Sequence, residues 1–531
     1  MTSAVLSTIW MPSAEELARL GPLWCIAATI VAILLGALIG GRNWRLCGIL
    51  AVTGGLLTAW LCYRNFAHPT TWAGLTPKSE GPMLVVDPFS NFFIFLISLF
   101  LVLITGMWCV GQSSDLTGLR TQRKDAVEFF VLFIGSAFGM ALMVSTTNLL
   151  MIILAVESAS LPSYGLAGFR KKHRPAAEAS LKYILFGAVT SAIMIYGASL
   201  LYGSFHTLDL ATIGERIALE GVSLLQGVAI FAFLVGVGFK VSAVPFHFWA
   251  PDVFEGATIE VTTWLSVASK AAGIGLMLRI VSVLTASLNS PEALRNISLA
   301  IAILAALTCT VGNFSAFRQT NLKRLLGFSS IAHAGYMLMA AAILWVPAAS
   351  PDADVAANPA FSAVIAYMVV YLLMNLGAFG CVALVYWATG KETLDAFNGL
   401  GRRAPLLAVV MAVCLFSLVG LPPFGGFIAK WYLLLALFDA KLIWLVFVAV
   451  FNTLISLYYY ARIAYAMYFT DDGQPTLHTA PLGQVSVAIC AVGILLTGTF
   501  AAGRLKSFSD ARSRDAYAQQ QTPRNVIAEK P

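Results

Sequence analysis

Residues 223–249 read SLLQGVAIFAFLVGVGFKVSAVPFHFW, with Lys240 the only Lys, Arg, Asp or Glu in the run. As one helix it would be about 40 Å long at 1.5 Å per residue. About 20 apolar residues already cross roughly 30 Å of bilayer hydrocarbon. The run is therefore a membrane helix with length to spare. Pro245, lacking an N–H, interrupts the hydrogen-bond ladder near its end. Outward from this segment lie thirteen further apolar runs, at about 21–40, 44–63, 90–111, 126–145, 147–169, 180–203, 260–286, 296–316, 322–346, 361–388, 406–438, 441–467 and 485–503. The twelfth of the fourteen, 406–438, is the other over-long one, and it carries Pro422, Pro423, Gly425 and Gly426. Two broken helices five positions apart in the helix order suggest an internal duplication.

The composition agrees. Of 531 residues 59% are hydrophobic and 11% charged, and the mean hydropathy is +0.82. Soluble domains carry about 25% charged residues, so a water-facing globule of this size is excluded, as are disordered and disulfide-rich classes. No ten-residue stretches of alternating polarity indicate a β-barrel. The sequence predicts an all-α polytopic membrane protein, a single membrane domain over 1–531 with about fourteen transmembrane helices and a polar C-terminal tail at 504–531. The first run follows Glu15, Glu16 and Arg19 and lacks a short apolar core with a cleavage site, so it reads as a helix and not a signal peptide. The net charge of +7 is not read as nucleic-acid affinity.

Charge position gives the topology. Between odd and even helices lie sixteen cations: Arg42, Arg45, Arg120, Arg123, Lys124, Arg170, Lys171, Lys172, Arg174, Arg318, Lys323, Arg324, Lys391, Arg402, Arg403 and Arg462. The opposite side has six: Arg19, Arg64, Lys78, Arg216, Arg295 and Lys441. The positive-inside rule puts the first set in the cytoplasm and both termini outside, although the tail carries six cations of its own.

Five cations remain, all inside or at the mouth of hydrophobic runs: Lys182, Lys240, Lys270, Arg279 and Lys430. For Lys182 and Arg279 a nearby helix end allows the charge to snorkel to water. Lys240, Lys270 and Lys430 have apolar sequence on both sides. A mid-helix lysine costs about 2.5–3.5 kcal/mol on insertion scales, so three in one chain call for a function. Glu157 is the acid in mid-helix, within LLMIILAVESASLPSYGL. Burial disfavours a charged ammonium and a nearby carboxylate restores it, so a Glu–Lys pair that separates can release a proton. His247 follows Lys240 by seven residues, two turns along the same face if the helix continues. Its reference pKa near neutrality suits proton passage between neighbours. His333, in SSIAHAGYM, is a further candidate, though a lone histidine in an apolar helix is more often a hydrogen-bonded core residue.

These residues sit in LAVESASLPSYGLAGF, AEASLKYILFGAVTSAIMIYGASLLYG, FKVSAVPFHFWAPDVFEGA, ASKAAGIG, NLKRLLGFSSIAHAGYML, GLPPFGGFIAKWYLL and ISLYYYARI. Together they resemble the antiporter-like membrane subunits of proton-translocating NADH–quinone oxidoreductase, respiratory complex I, and the bacterial subunit N branch above all. The likeness covers about residues 126–470. It implies two inverted five-helix repeats, at 126–286 and 296–467, with broken helices 7 and 12. It also implies a proton relay of Glu157, Lys182, Lys240, His247, Lys270 and Lys430. Where that family usually reads EGAPxPV, this chain reads EGATIEV, so Thr258 and Glu260 replace both prolines. Glu260 becomes a candidate extra acid at the cytoplasmic mouth.

The eight cysteines form no CxxC pair, and no Walker loop or strand-flanked GxGxxG occurs. The chain is therefore expected to bind no metal or cofactor. The resemblance assigns NADH, FMN, iron–sulfur clusters and quinone to partner subunits of a translocase in the cell inner membrane. Its expected partners are the other membrane-arm subunits and the lipid bilayer. The rival reading, with the same fold, is a subunit of a multisubunit cation/proton antiporter or a membrane-bound hydrogenase.

Overall fold

The computed structural model describes residues 18–67, 72–74, 82–113, 125–171, 173–288, 290–344, 358–470, 473 and 475–521. It opens with α1 (Gly21–Gly40) and α2 (Trp44–Ala67), then an antiparallel pair, β1 (Trp72–Gly74) and β2 (Leu84–Val86), with Trp72 opposite Val86. Next come α3 (Pro88–Ser113), α4 (Ala126–Val144), α5 (Leu149–Ala167), α6 (Arg174–Phe205), the short α7 (Leu210–Glu220), α8 (Leu224–Val241) and α9 (Trp249–Gly256). α10 (Ile259–Trp264) passes through a π turn at Leu265–Ser269 into α11 (Lys270–Ala286). The second half holds α12 (Pro291–Ala316), α13 (Leu322–Ala341), α14 (Pro359–Thr389), α15 (Leu400–Arg403), α16 (Pro405–Val419), α17 (Gly425–Asp439), α18 (Ile443–Phe469), α19 (Pro481–Gly498) and α20 (Ala502–Gln521).

Twelve helices among the described residues are long and apolar enough to cross a membrane. The two remaining passages are α13, which opens with Lys323 and Arg324, and the interrupted pair α16–α17. Each of the fourteen runs thus has its counterpart. The described part of the polar tail is helical, and α20 ties back by Ser513 Oγ donating to the Asn358 carbonyl at 2.7 Å. Glu15, Glu16, Lys78, Arg120, Arg123, Lys124, Lys172, Arg524 and Lys530 lie outside the described residues.

The helix that carries Lys270 (α10–α11) and α14 are central, whereas α5 and α8, which carry Glu157 and Lys240, are half buried. Within the apolar windows of Ile259–Ala286 and Pro359–Thr389, 89% of residues are buried, against 22% in Gly21–Gly40 and 28% in Pro481–Gly498. The outer helices present Leu38, Phe231 and Phe447 at their surface, the side chains that lipid accepts at no cost. Close approach inside the bundle uses small residues. A Cβ on Gly335 would stand 2.5 Å from Cys309 N, so α12 and α13 meet backbone to backbone only because that position is glycine.

Both halves repeat one entry device. Asn148 caps α5, accepting from Leu150 N at 3.0 Å, and Asn321 caps α13, accepting from Arg324 N at 3.2 Å. Each cap borders a short backbone exchange with a distant loop. Leu149 N donates to Leu208 O at 2.8 Å and Leu210 N to Thr147 O at 3.1 Å. Likewise Leu322 N donates to Glu392 O and Leu394 N to Thr320 O, both at 2.9 Å. The device fixes the start, and so the register, of the helix that brings Glu157 or His333 into the bundle.

Candidate functional site

The first break lies between α8 and α9. α8 ends at Val241, Ser242 turns to φ +63°, and the Val244–Pro245 bond is cis. The chain is held by Val244 N on Thr308 Oγ1 at 3.0 Å and by Trp249 Nε1 on the Phe239 carbonyl at 3.0 Å. Because the helix stops, the shared face expected for Lys240 and His247 does not form. Lys240 sits on the last turn of α8, buried, and its Nζ has no hydrogen-bond partner among the described residues. Glu157, on α5, lies within electrostatic reach of it and accepts a hydrogen bond from Ser191 of α6. His247 lies in the break itself, buried, within electrostatic reach of Lys270.

Lys270 is the first residue after the π turn, a local widening that recurs at functional positions in helices. It is buried, and its Nζ also has no hydrogen-bond partner among the described residues. One turn on, a Cβ at Gly273 would come within 3.2 Å of the Lys240 carbonyl carbon. The absence of a side chain there lets α11 rest against the broken end of α8.

His333 joins this group to the second half. It is buried on α13 within electrostatic reach of both Lys270 and Lys430, and its Nδ1 is 2.7 Å from the Tyr367 hydroxyl. Tyr336 and Tyr371 also pack against its ring, at centroid distances of 6.0 and 5.1 Å.

At the second break α16 ends at Val419, Gly420 takes φ +87°, the Pro422–Pro423 bond is cis, and α17 starts at Gly425. Gly426 N donates to Ser417 Oγ at 3.0 Å, and a Cβ there would collide with the Ser417 carbonyl. Lys430 Nζ donates to the Val419 carbonyl at 2.9 Å, one of the carbonyls that a helix C-terminus leaves unpaired. It also reaches Thr453 Oγ1 at 3.5 Å and stands 4.4 Å above the Tyr336 ring.

Other sequence candidates lie elsewhere. Lys182 pairs with Glu178 at 2.6 Å and Asp252 at 2.7 Å, with its side chain 37% exposed, so no contact joins it to the buried line. Arg279 does not snorkel. It is 2% exposed and holds Asp87 with two hydrogen bonds, at 2.8 and 2.9 Å. The sequence reading missed Tyr336, Tyr367, Tyr371 and Thr453, which surround His333 and Lys430. A signal was available in Tyr367 and Tyr371, four residues apart on one helix face. It also counted Lys323 as a loop cation, whereas that ammonium is buried, 2.8 Å from both Glu392 and the Ala257 carbonyl.

The family model described as NADH:quinone oxidoreductase/Mrp antiporter, TM, matches residues 146–456. The chain is 42% identical over 401 residues to NADH-quinone oxidoreductase subunit N of Anaeromyxobacter sp. (strain Fw109-5), covering 70% of this chain and 75% of that one. To subunit N 2 of Sorangium cellulosum (strain So ce56) it is 37% identical over 511 residues, covering 92% and 95%. Among solved structures, a chain of respiratory complex I from Thermus thermophilus with bound Aureothin matches with TM-score 0.73 and 29% identity, over 92% of this chain and 99% of that one.

Proposed function

The chain belongs to the NADH:quinone oxidoreductase/Mrp antiporter transmembrane family, and on that premise we propose how it acts in a respiratory membrane. It is a proton-translocating membrane subunit of NADH–quinone oxidoreductase, assembled with other membrane-arm subunits. Partner subunits would hold NADH, FMN, iron–sulfur clusters and quinone, and would supply the electron transfer that drives it. This chain contributes the proton path. It lies in the cell inner membrane with both termini outside, the orientation that its cation distribution favours.

One observation carries the relay: buried His333 packs on Tyr336, whose ring lies 4.4 Å from Lys430 Nζ, and it is within electrostatic reach of Lys270 as well. The line therefore runs from Glu157 and Lys240, past His247, to Lys270, His333 and Lys430. Glu157 has two uses for its carboxylate, the Lys240 ammonium and the Ser191 hydroxyl. Near the lysine it stabilises the ammonium; drawn to Ser191 it withdraws that support. The proton then moves toward His247 and Lys270, because a buried cation without a counter-charge is disfavoured. Each transfer breaks one N–H bond and forms another, so the line ends each step with the same number of protons. A relative matching 92% of this chain is named NADH-quinone oxidoreductase subunit N 2, and one matching 90% NAD(P)H-quinone oxidoreductase subunit 2, which favours this assignment over the antiporter rival.

The test is Lys240→Ala in the complete complex, in inside-out membrane vesicles. Assembly on native gels should persist while NADH-driven proton pumping falls by more than about fivefold, ~1 kcal/mol of barrier. Normal pumping by an assembled variant would refute the relay.

A further inference from the structure

Glu260 stands on the first turn of α10, 3% exposed, where a carboxylate is costly unless compensated. The compensating charge is Lys323, itself 2% exposed. Its ammonium is anchored on two sides, at 2.8 Å to Glu392 and at 2.8 Å to the carbonyl of Ala257, three residues before Glu260. Glu260 lies within electrostatic reach of that ammonium, as does Arg170. One lysine thus serves two carboxylates, and the hydrogen-bonded one is Glu392.

From Glu260 the helix leads inward past two hydroxyls to Lys270. Thr263, Ser266 and Lys270 follow at three, six and ten residues along α10, the π turn and α11. The Thr263 hydroxyl donates to the Ile259 carbonyl at 2.6 Å and the Ser266 hydroxyl to the Thr263 carbonyl at 2.7 Å, which leaves their lone pairs to accept from water. Ser330 of α13 donates to the Ser266 carbonyl at 3.4 Å and accepts from the Tyr371 hydroxyl at 3.0 Å. Tyr371 packs on His333. The helix that opens with this buried acid thus leads to Lys270, and at its Ser266 carbonyl the Ser330 and Tyr371 hydroxyls tie it to the ring of His333.

We infer that Glu260 is a proton-loading carboxyl at the cation-rich mouth of the bundle, held ready by Lys323 and supplying Lys270. This rests on the relay reading above. In the loading step an O–H bond of a hydronium ion from the cytoplasmic water breaks, leaving neutral water behind, and an O–H bond forms on a Glu260 carboxylate oxygen. That bond breaks as the proton passes along water and the hydroxyls of Thr263, Ser266 and Ser330. An N–H bond then forms on the neutral amine of Lys270, and Glu260 returns to carboxylate. Lys323 stays charged throughout and positions Glu260; it does not carry the proton.

The experiment compares Glu260→Gln and Glu260→Asp in the assembled complex, with Lys240→Ala measured beside them. NADH-driven pumping in inside-out vesicles is normalised to NADH oxidised. Glu260→Gln should pump several-fold more slowly, and Glu260→Asp, which keeps the acid, should recover at least half of the loss. Full-rate pumping by Glu260→Gln overturns the assignment. So does equal loss in the Gln and Asp variants, or failure of the Gln variant to assemble, either of which makes Glu260 a packing residue. If Lys240→Ala is slow while Glu260→Gln is not, only this assignment falls. If Lys240→Ala pumps at full rate, the relay itself falls.

Discussion

At the first break Lys240 stands before the interruption, on the last turn of α8; at the second Lys430 stands after it, on the second turn of α17. Lys240 has no hydrogen-bond partner among the described residues and takes its electrostatic support from Glu157, a carboxylate that Ser191 also engages. Lys430 is held by fixed groups: the Val419 carbonyl, the Thr453 hydroxyl and the face of Tyr336. A hydrogen bond to a charged group contributes about 1.5–3 kcal/mol, and a desolvated cation–π contact about 2. The Val419 carbonyl, being backbone, cannot leave without moving the end of α16. The first half therefore holds its proton by a counter-charge that can be withdrawn. The second holds it by dipoles built into the break.

That contrast orders the effects of substitution. The largest is expected for Lys430→Ala, which removes the ammonium and leaves the Val419 carbonyl facing an apolar gap. NADH-driven pumping in inside-out vesicles should fall by more than about fivefold, matching Lys240→Ala. Glu157→Gln should be milder, about two- to threefold, because the amide still accepts from Ser191 and Lys240 keeps its place. A loss equal to that of Lys240→Ala would mean a fixed ion pair and would erase the difference between the halves. The smallest effect belongs to Lys182→Ala. Its ion pairs are part-exposed, and such pairs contribute about 0–1 kcal/mol. Pumping within about twofold of the wild type is the expected outcome, and a larger loss would bring Lys182 back into the line.

Helix number was legible because each membrane passage needs an unbroken apolar run, and the two breaks were legible because proline marks them. Lys240, Lys270 and Lys430 stood out for the same reason that they are costly: a charge amid apolar sequence has no bland surface position. Arg279 was misread because its run ends only seven residues later, at 286, and its partner Asp87 is 192 residues away. Nothing local announces such a pair. Lys323 sits at the edge of its run, where a cation reads as solvated; its burial depends on α9–α10 and the loop before α15 closing over it. The tyrosines around His333 were counted among the apolar residues that fill a bundle. Their hydroxyls acquire meaning only when α13 and α14 bring them together.

The central claim is that the two halves form one line in series, joined at His333. Pumping per NADH oxidised, measured for Lys240→Ala, Lys430→Ala and the double variant in the same vesicles, tests it most directly, because groups acting as a unit are non-additive. In series, the double variant pumps no more slowly than the worse single variant. If each single variant loses about half and the double loses nearly all, the halves are independent channels and the line does not exist.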